Sequence, residues 1–261
     1  MLNKKMRILI TNDDGINSYG IRILHQVAKK LTDDIWLIAP ETEHSGKSHS
    51  ITLNDPIRIR KVSLRKYAVS GTPTDCIILG LNEIIKDNRP DLVLSGINRG
   101  ANMAEDIIYS GTVAAAMEAS FHGCCSIAFS QVFQKPNPIP WETAKYHSLK
   151  LVKSLLKVGW SKETVINVNF PPVSRRNVQG VKITKLGSSG YENPSVILRE
   201  DPRGTPYYWL GYRRSKKSMQ NIYKKNNTDI NAVSSGFISV TPLKANFDDK
   251  KSYSNLRTLF F

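Results

Sequence analysis

Nowhere does the chain hold an apolar run approaching the roughly 18 residues that a membrane helix needs. Its opening MLNKKM passes straight into RILIT without a signal-peptide apolar stretch. This reads as a soluble, cytoplasmic protein with no membrane partner. Cysteine is scarce: Cys76, Cys124 and Cys125 are odd in number, two are adjacent, and none has metal-type spacing. They read as buried free thiols in a reducing compartment. The five histidines, His25, His44, His49, His122 and His147, make no metal-ligand cluster by spacing. Acidic residues are outnumbered, 22 against 37 Lys and Arg, giving a formal net charge of +15. A basic surface suits polyanions such as nucleotides, nucleic acid, polyphosphate or acidic lipid, although most of these charges are scattered like ordinary solvated surface. No G-x-G-x-x-G follows the first strand, so a dinucleotide site is unsupported. The G-x-x-x-x-G-K-[ST] of a P-loop protein and the G-x-S-x-G nucleophile elbow are absent too.

What is present is an alternation. At 261 residues and 40% hydrophobic content the chain can bury a large core, as one α/β domain with or without an appendage. Compact apolar runs at 7–11, 35–39, 91–95, 126–130 and 164–170 suit strands buried on both faces. Between them, Ile21, Leu24, Val27, Ala28 and Leu31 recur at helical spacing. Helices are also expected over 73–85, opened by Pro73, over 112–121, and over about 141–158. This order predicts a parallel, doubly wound sheet. It fails after Phe170: "VKITKL" is one more strand, residues 187–230 read as a hairpin-like appendage, and 236–243 as a return strand. The division is therefore a Rossmann-like α/β domain over 1–186 and a hairpin, return strand and tail over 187–261. The densest basic stretch, GYRRSKKSMQNIYKK (211–225), lies in that appendage.

In a doubly wound sheet, ligands bind at the carboxyl ends of the strands near the switch in strand order. The first strand ends in "TNDDG", placing two like charges, Asp13 and Asp14, side by side. The second is followed by PETEHSGKSHS (40–50) and the third by SGINRGANMAEDIIYSGT (95–112). Polar loops this long in a compact domain are usually functional, and all three open on one edge. The pair is either a solvated turn or, with oxygen donors from the other loops, a hard-cation site suited to Mg²⁺, Mn²⁺ or Ca²⁺ rather than zinc. Ser110, Gly111 and Thr112 open an alanine-rich helix, where free N–H groups favour an anion; Ser110 or Thr112 equally fits an N-cap. His44 and His49 flank the second loop and read as rim positions.

The segments RILITNDDGI, APETEHSGKSHSITL, VSGTPTDC, PDLVLSGINRGAN and YSGTVAAAMEA resemble, in order and spacing, the SurE family of metal-dependent 5′-nucleotidases. NVNFP, DPRGTPYYWLG and TDINAVSSGFISVTPL extend the resemblance over nearly the whole chain. It implies a Rossmann-like domain with a C-terminal hairpin and exchanged tail, assembled as a homodimer or homotetramer. By match, Asp13, Asp14, Ser45 and Asn98 would hold one divalent cation per subunit, Mg²⁺ or Mn²⁺. The activity implied is hydrolysis of nucleoside 5′-monophosphates, with 3′-nucleotides and short polyphosphate as further substrates. The chain departs from the family pattern at Asn17-Ser18-Tyr19 and at Met103-Ala104-Glu105-Asp106, beside the expected ligands rather than on them.

Both lines of reading converge on a phosphomonoesterase. Asp13 and Asp14 are its catalytic residues, as ligands, with Asp13 alternatively base or nucleophile. Asn102, Ser110, Gly111 and Thr112 would receive phosphoryl oxygens. A Rossmann-type deacetylase also carries Asp-Asp after its first strand, but it needs histidine ligands for zinc, and here Thr11 and Asn12 precede the pair. A binding protein for RNA or polyphosphate would show binding abolished by salt and indifferent to metal; no specific nucleic-acid partner is expected.

Overall fold

The computed structural model describes residues 5–134, 136–188, 191–214, 226–245 and 248–260. Among these residues eleven strands are seen: β1 (Ile8–Thr11), β2 (Ile35–Pro40), β3 (Ile59–Ser63), β4 (Lys66–Val69), β5 (Leu92–Arg99), β6 (Cys125–Gln131), β7 (Val165–Phe170), β8 (Val181–Ile183), β9 (Tyr191–Glu200), β10 (Pro206–Arg214) and β11 (Ile238–Leu243). Nine make one sheet in the order β3-β4-β2-β1-β5-β6-β7-β11-β8, while β9 and β10 form a separate antiparallel hairpin. From β4 to β7 the main sheet is parallel. β3 and β11 join it antiparallel. The chain winds outward from β1 through β2 to β4, then crosses to β5 and winds the other way, so the switch in order falls between β1 and β5.

Alternating side chains in β1 explain why its apolar run is unbroken. Ile8 and Ile10 enter the core beneath α1 (Tyr19–Ala28) and α4 (Trp141–Val158), whereas Leu9 enters the opposite core beneath α2 (Pro73–Leu79) and α3 (Gly111–Phe121). A strand covered on both faces has no polar side to show. α1 reaches β5 closely because residue 20 is glycine: a Cβ there would lie 1.9 Å from the Ile97 carbonyl oxygen. α2 starts as expected at Pro73, with the Thr72 hydroxyl and the Asp75 carboxylate closing a reciprocal capping box. The expected 73–85 helix is α helix only to Leu79 and continues as a π-helical turn over Gly80–Ile84.

Three further differences matter. β5 does not end at residue 95 but runs to Arg99 through a bulge: Ser95 pairs with Ala128 and Asn98 with Ser130, so β5 carries one extra residue. The expected 95–112 loop is therefore strand for its first five residues, and Ala104–Ile108 forms a 3₁₀ turn. β3 and β4 lie in a segment that carries no strand expectation. Beyond residue 187, α5 (Asp229–Ser234) and β11 return to the main sheet, while α6 (Lys250–Phe260) forms the tail. Among the described residues no helix is long and apolar enough to cross a membrane. All three cysteines are free; Cys76 and Cys124 are buried and Cys125 is half-buried.

Candidate active site

The carboxylate pair follows β1 in a turn locked by its neighbours. Asn12 Nδ2 donates to the Gly15 carbonyl (3.0 Å) and to Ser18 Oγ (2.8 Å), and Gly15 takes a φ of +93° against the backbone of Thr42. Asp13 is 3% exposed. Its Oδ1 accepts from the Thr112 hydroxyl at 2.5 Å and its Oδ2 from the Thr112 backbone N–H at 3.2 Å. Asp14 Oδ2 accepts from the Arg99 N–H at 3.1 Å. Burial pushes the Asp13 carboxyl above the ordinary carboxylate range, and the Thr112 hydroxyl opposes the shift. Burial first, and the charge of Asp13 second, push Asp14 up to about 6.

α3 brings its N-terminus onto this pair. Ser110 is the N-cap, its Oγ accepting from the Val113 N–H at 3.0 Å. Gly111 permits the approach, since a Cβ there would sit 2.9 Å from Asp13 Cβ and 3.1 Å from Pro73 Cγ. The loop after β2 arrives from the other side, its His44 N–H donating to the Asp13 carbonyl at 2.8 Å. Ser45 Oγ there donates to Glu43 Oε1 at 2.8 Å. From β5, Asn98 Nδ2 donates to the Gly100 carbonyl at 3.4 Å.

Asp13, Ser45, Asn98, Asn102 and Ser110 line one cleft of about 370 Å³, together with Arg99 and Tyr109. Asp14 flanks it through Arg99, and Gly111 and Thr112 lie beneath Asp13. The structure thus brings all eight sequence-derived positions to one edge of the sheet. Of the two N-cap readings, Ser110 takes the cap, while Thr112 differs from the expected phosphate contact. Thr112 spends both its N–H and its hydroxyl on Asp13, whereas Ser110 Oγ accepts from the Val113 N–H as N-cap and keeps its own O–H to donate. His49 also turns away from the cleft: its Nε2 pairs with Glu118 Oε2 on α3 at 2.9 Å. A further concavity on α4, lined by Tyr146, His147, Lys150 and Lys153, lies away from these strand ends and carries no carboxylate in its lining.

Sequence reasoning missed the frame around Asn102. The Asn102 N–H donates to Asn169 Oδ1 and its Nδ2 to Ser130 Oγ, both at 2.9 Å. Its carbonyl accepts from Asn167 Nδ2 and Asn169 Nδ2. The signal was available, because "INVNF" puts two asparagines in a strand buried at every position. Asp229 holds the next turn, accepting from Ala104 N–H at 2.8 Å.

The donor set fits a hard cation. No ion pair among the described residues involves Asp13 or Asp14, and every hydrogen-bond donor they meet is neutral. Asp13 is buried, and half-buried Asp14 feels one nearby cation, Arg99, whose charge only partly offsets burial and the repulsion from Asp13. The remaining oxygens, from Ser45 and Asn98, are neutral and hard. Among the described residues no group of three His, Cys, Asp or Glu side chains is placed to hold a metal ion by itself, so a cation here would draw on the neutral oxygens as well.

Comparison with known proteins adds a family. The profile described as Survival protein SurE matches residues 8–193. A protein named 5′-nucleotidase SurE from Paramagnetospirillum magneticum is 48% identical over 255 residues, 98% of this chain and 96% of the relative. One of the same name from Rhodopseudomonas palustris is 46% identical over 94% of this chain and 96% of its own length. The crystal structure of SurE protein from Aquifex aeolicus matches with a TM-score of 0.82 at 37% identity, covering 97% of this chain and 99% of that one. With the family profile spanning most of the sheet and every loop that builds the cleft, this chain belongs to the SurE family.

Proposed function

We propose that this protein is a metal-dependent 5′-nucleotidase that hydrolyses nucleoside 5′-monophosphates to nucleoside and phosphate. The observation that carries the reading is the Asp13–Asp14 pair, Asp13 buried and Asp14 half-buried, facing a helix N-terminus in a chain 48% identical to a named 5′-nucleotidase. Asp13, Asp14, Ser45 and Asn98 would hold one divalent cation per subunit, Mg²⁺ or Mn²⁺. When bound, such a cation supplies charge neutralisation on the phosphate and a more acidic water. Asn102, fixed by Ser130, Asn167 and Asn169, presents an immobile amide to the phosphoryl oxygens. The first turn of α3, at Ser110 and Gly111, offers the positive end of the helix. Thr112 works through Asp13, holding its carboxylate in one orientation. The same terminal phosphoryl group occurs in 3′-nucleotides and short polyphosphate, which we assign as further substrates.

We assign residues 187–261 to self-association as a dimer or tetramer. A lone hairpin is marginal in water, and β9–β10 exposes Val196, Leu198, Tyr208, Trp209 and Leu210. The tail helix α6 exposes Tyr253 and Leu256 in the same way, which suits an exchanged element. The enzymatic reading is tested by phosphate release from 5′- and 3′-nucleotides and polyphosphate with Mg²⁺, Mn²⁺ and chelator. Release from 5′-monophosphates that stops on chelation is expected; no release from any of them, or release undiminished by chelator, overturns it.

A further inference from the structure

One polar cluster lies outside the cleft yet is joined to it. On α3, Glu118 is half-buried and meets two imidazoles: His49 Nε2 at 2.9 Å on Oε2 and His122 Nε2 at 3.1 Å on Oε1. The His49 ring lies parallel to Phe121, 4° between planes and 5.7 Å between centroids. His49 lies in the same loop as Ser45, the connection between β2 and β3. Just before His49, Ser48 sits at a positive φ of 58°, and two bonds hold it there: Ser48 N–H to the Tyr109 carbonyl at 3.1 Å and Ser48 Oγ to the Ile108 carbonyl at 2.6 Å. At its other end the loop hangs from the Asp13 carbonyl through the His44 N–H. The contacts close a ring: Asp13 to Thr112, along α3 to Glu118, to His49, and back through the loop to Asp13.

We infer that His49 and Glu118 are positioning residues that fix Ser45 over the carboxylate pair, with α3 as the shared template. The inference rests on the metal-site reading of Asp13, Asp14 and Ser45. Glu118 lies eight residues past Ser110, about 12 Å along the helix axis. His49 stands four positions after Ser45, a leash of about 13 Å at full extension. With His49 paired, the loop is held on both sides of Ser45 and at α3; without it, Ser45 keeps only the Ser48 and His44 backbone anchors and gains freedom between them. The His49 hydrogen bond also holds the Glu118 carboxyl below its ordinary range, as a charged acceptor should be. His122 restrains the other carboxylate oxygen.

The test is Mn²⁺ binding to the whole protein without substrate, read from the paramagnetic resonance of the free ion. His49→Phe keeps a ring against Phe121 but loses the N–H; His49→Gln keeps a donor. Loss of an orienting partner weakens metal binding by roughly tenfold or more. His49→Phe and Glu118→Ala are expected to do so, the pair together no more than either alone, with His49→Gln restoring most of the affinity. Combined with Ser45→Ala, His49→Phe should add nothing. Unchanged binding in His49→Phe, or effects of His49→Phe and Ser45→Ala that multiply, would overturn the inference. Absence of Mn²⁺ binding by the unaltered protein would instead sink the metal-site reading on which it stands.

Discussion

Asp14 shows what a carboxylate does when burial and a like charge outweigh the pull of one neighbouring arginine, Arg99. In the metal-free fold it titrates at about 6 against an ordinary 3.8, so between those values the folded chain keeps a proton the unfolded chain has lost. Its contribution to stability therefore falls as pH rises through that window. In chelator, Asp14→Asn should melt above the unaltered protein at pH 7, and the gap should narrow at pH 5. Scanning fluorimetry would read both, and a variant that melts lower at pH 7 would contradict the incompletely compensated charge. Thr112→Val preserves shape and the N–H but removes the stronger donor to Asp13, with an expected loss of about 1–3 kcal/mol in kcat/KM. The loss should come with a higher metal requirement rather than a higher KM for nucleotide; the reverse split would return Thr112 to direct phosphate contact. At this scale the sequence was legible where side chains break a pattern. Asp13 and Asp14 interrupt an apolar strand end and so were visible. Asn167 and Asn169 interrupt one too, but their partner Asn102 is more than sixty residues away, and spacing carries no trace of that pairing.

Among the elements, the buried ones were readable. β1, β2, β6 and β7 are apolar runs and α1 and α4 follow helical spacing, because sheet and helix faces bury what they cover. β3 was invisible since all five residues, IRKVS, are exposed; an edge strand on charged residues leaves no hydrophobic imprint. The extension of β5 to Arg99 was hidden by Gly96, which reads as a loop residue but sits inside a bulge at a φ of +126°. That bulge aligns Asn98 with the carboxylates, and α1 packs on it through Gly20. Gly20→Ala would force the Ile97 carbonyl aside and should destabilise by about 1–3 kcal/mol or more. Urea unfolding checks this; a change under half a kcal/mol would mean that helix and strand separate without strain.

Over the whole molecule, a compact sheet carries the cleft and a hairpin stands apart from it. Of the basic cluster Arg213, Arg214, Lys216 and Lys217, the first two end β10 and the latter two lie outside the described residues. The exposed apolar strip is the stronger sign of assembly, because Trp and Tyr favour interfaces. Trp209→Ser with Leu210→Ser should shift the light-scattering mass to a smaller species while leaving the far-ultraviolet spectrum intact. An unchanged mass would remove the hairpin from the interface. The central claim is that three loops at the switch between β1 and β5 converge to hold a cation, and anomalous diffraction from a crystal grown with Mn²⁺ tests it most directly. One anomalous peak per subunit among Asp13, Asp14, Ser45 and Asn98, missing from Asp14→Asn crystals, is the expected result. A peak elsewhere, or none at that pair of carboxylates at saturating Mn²⁺, would contradict it.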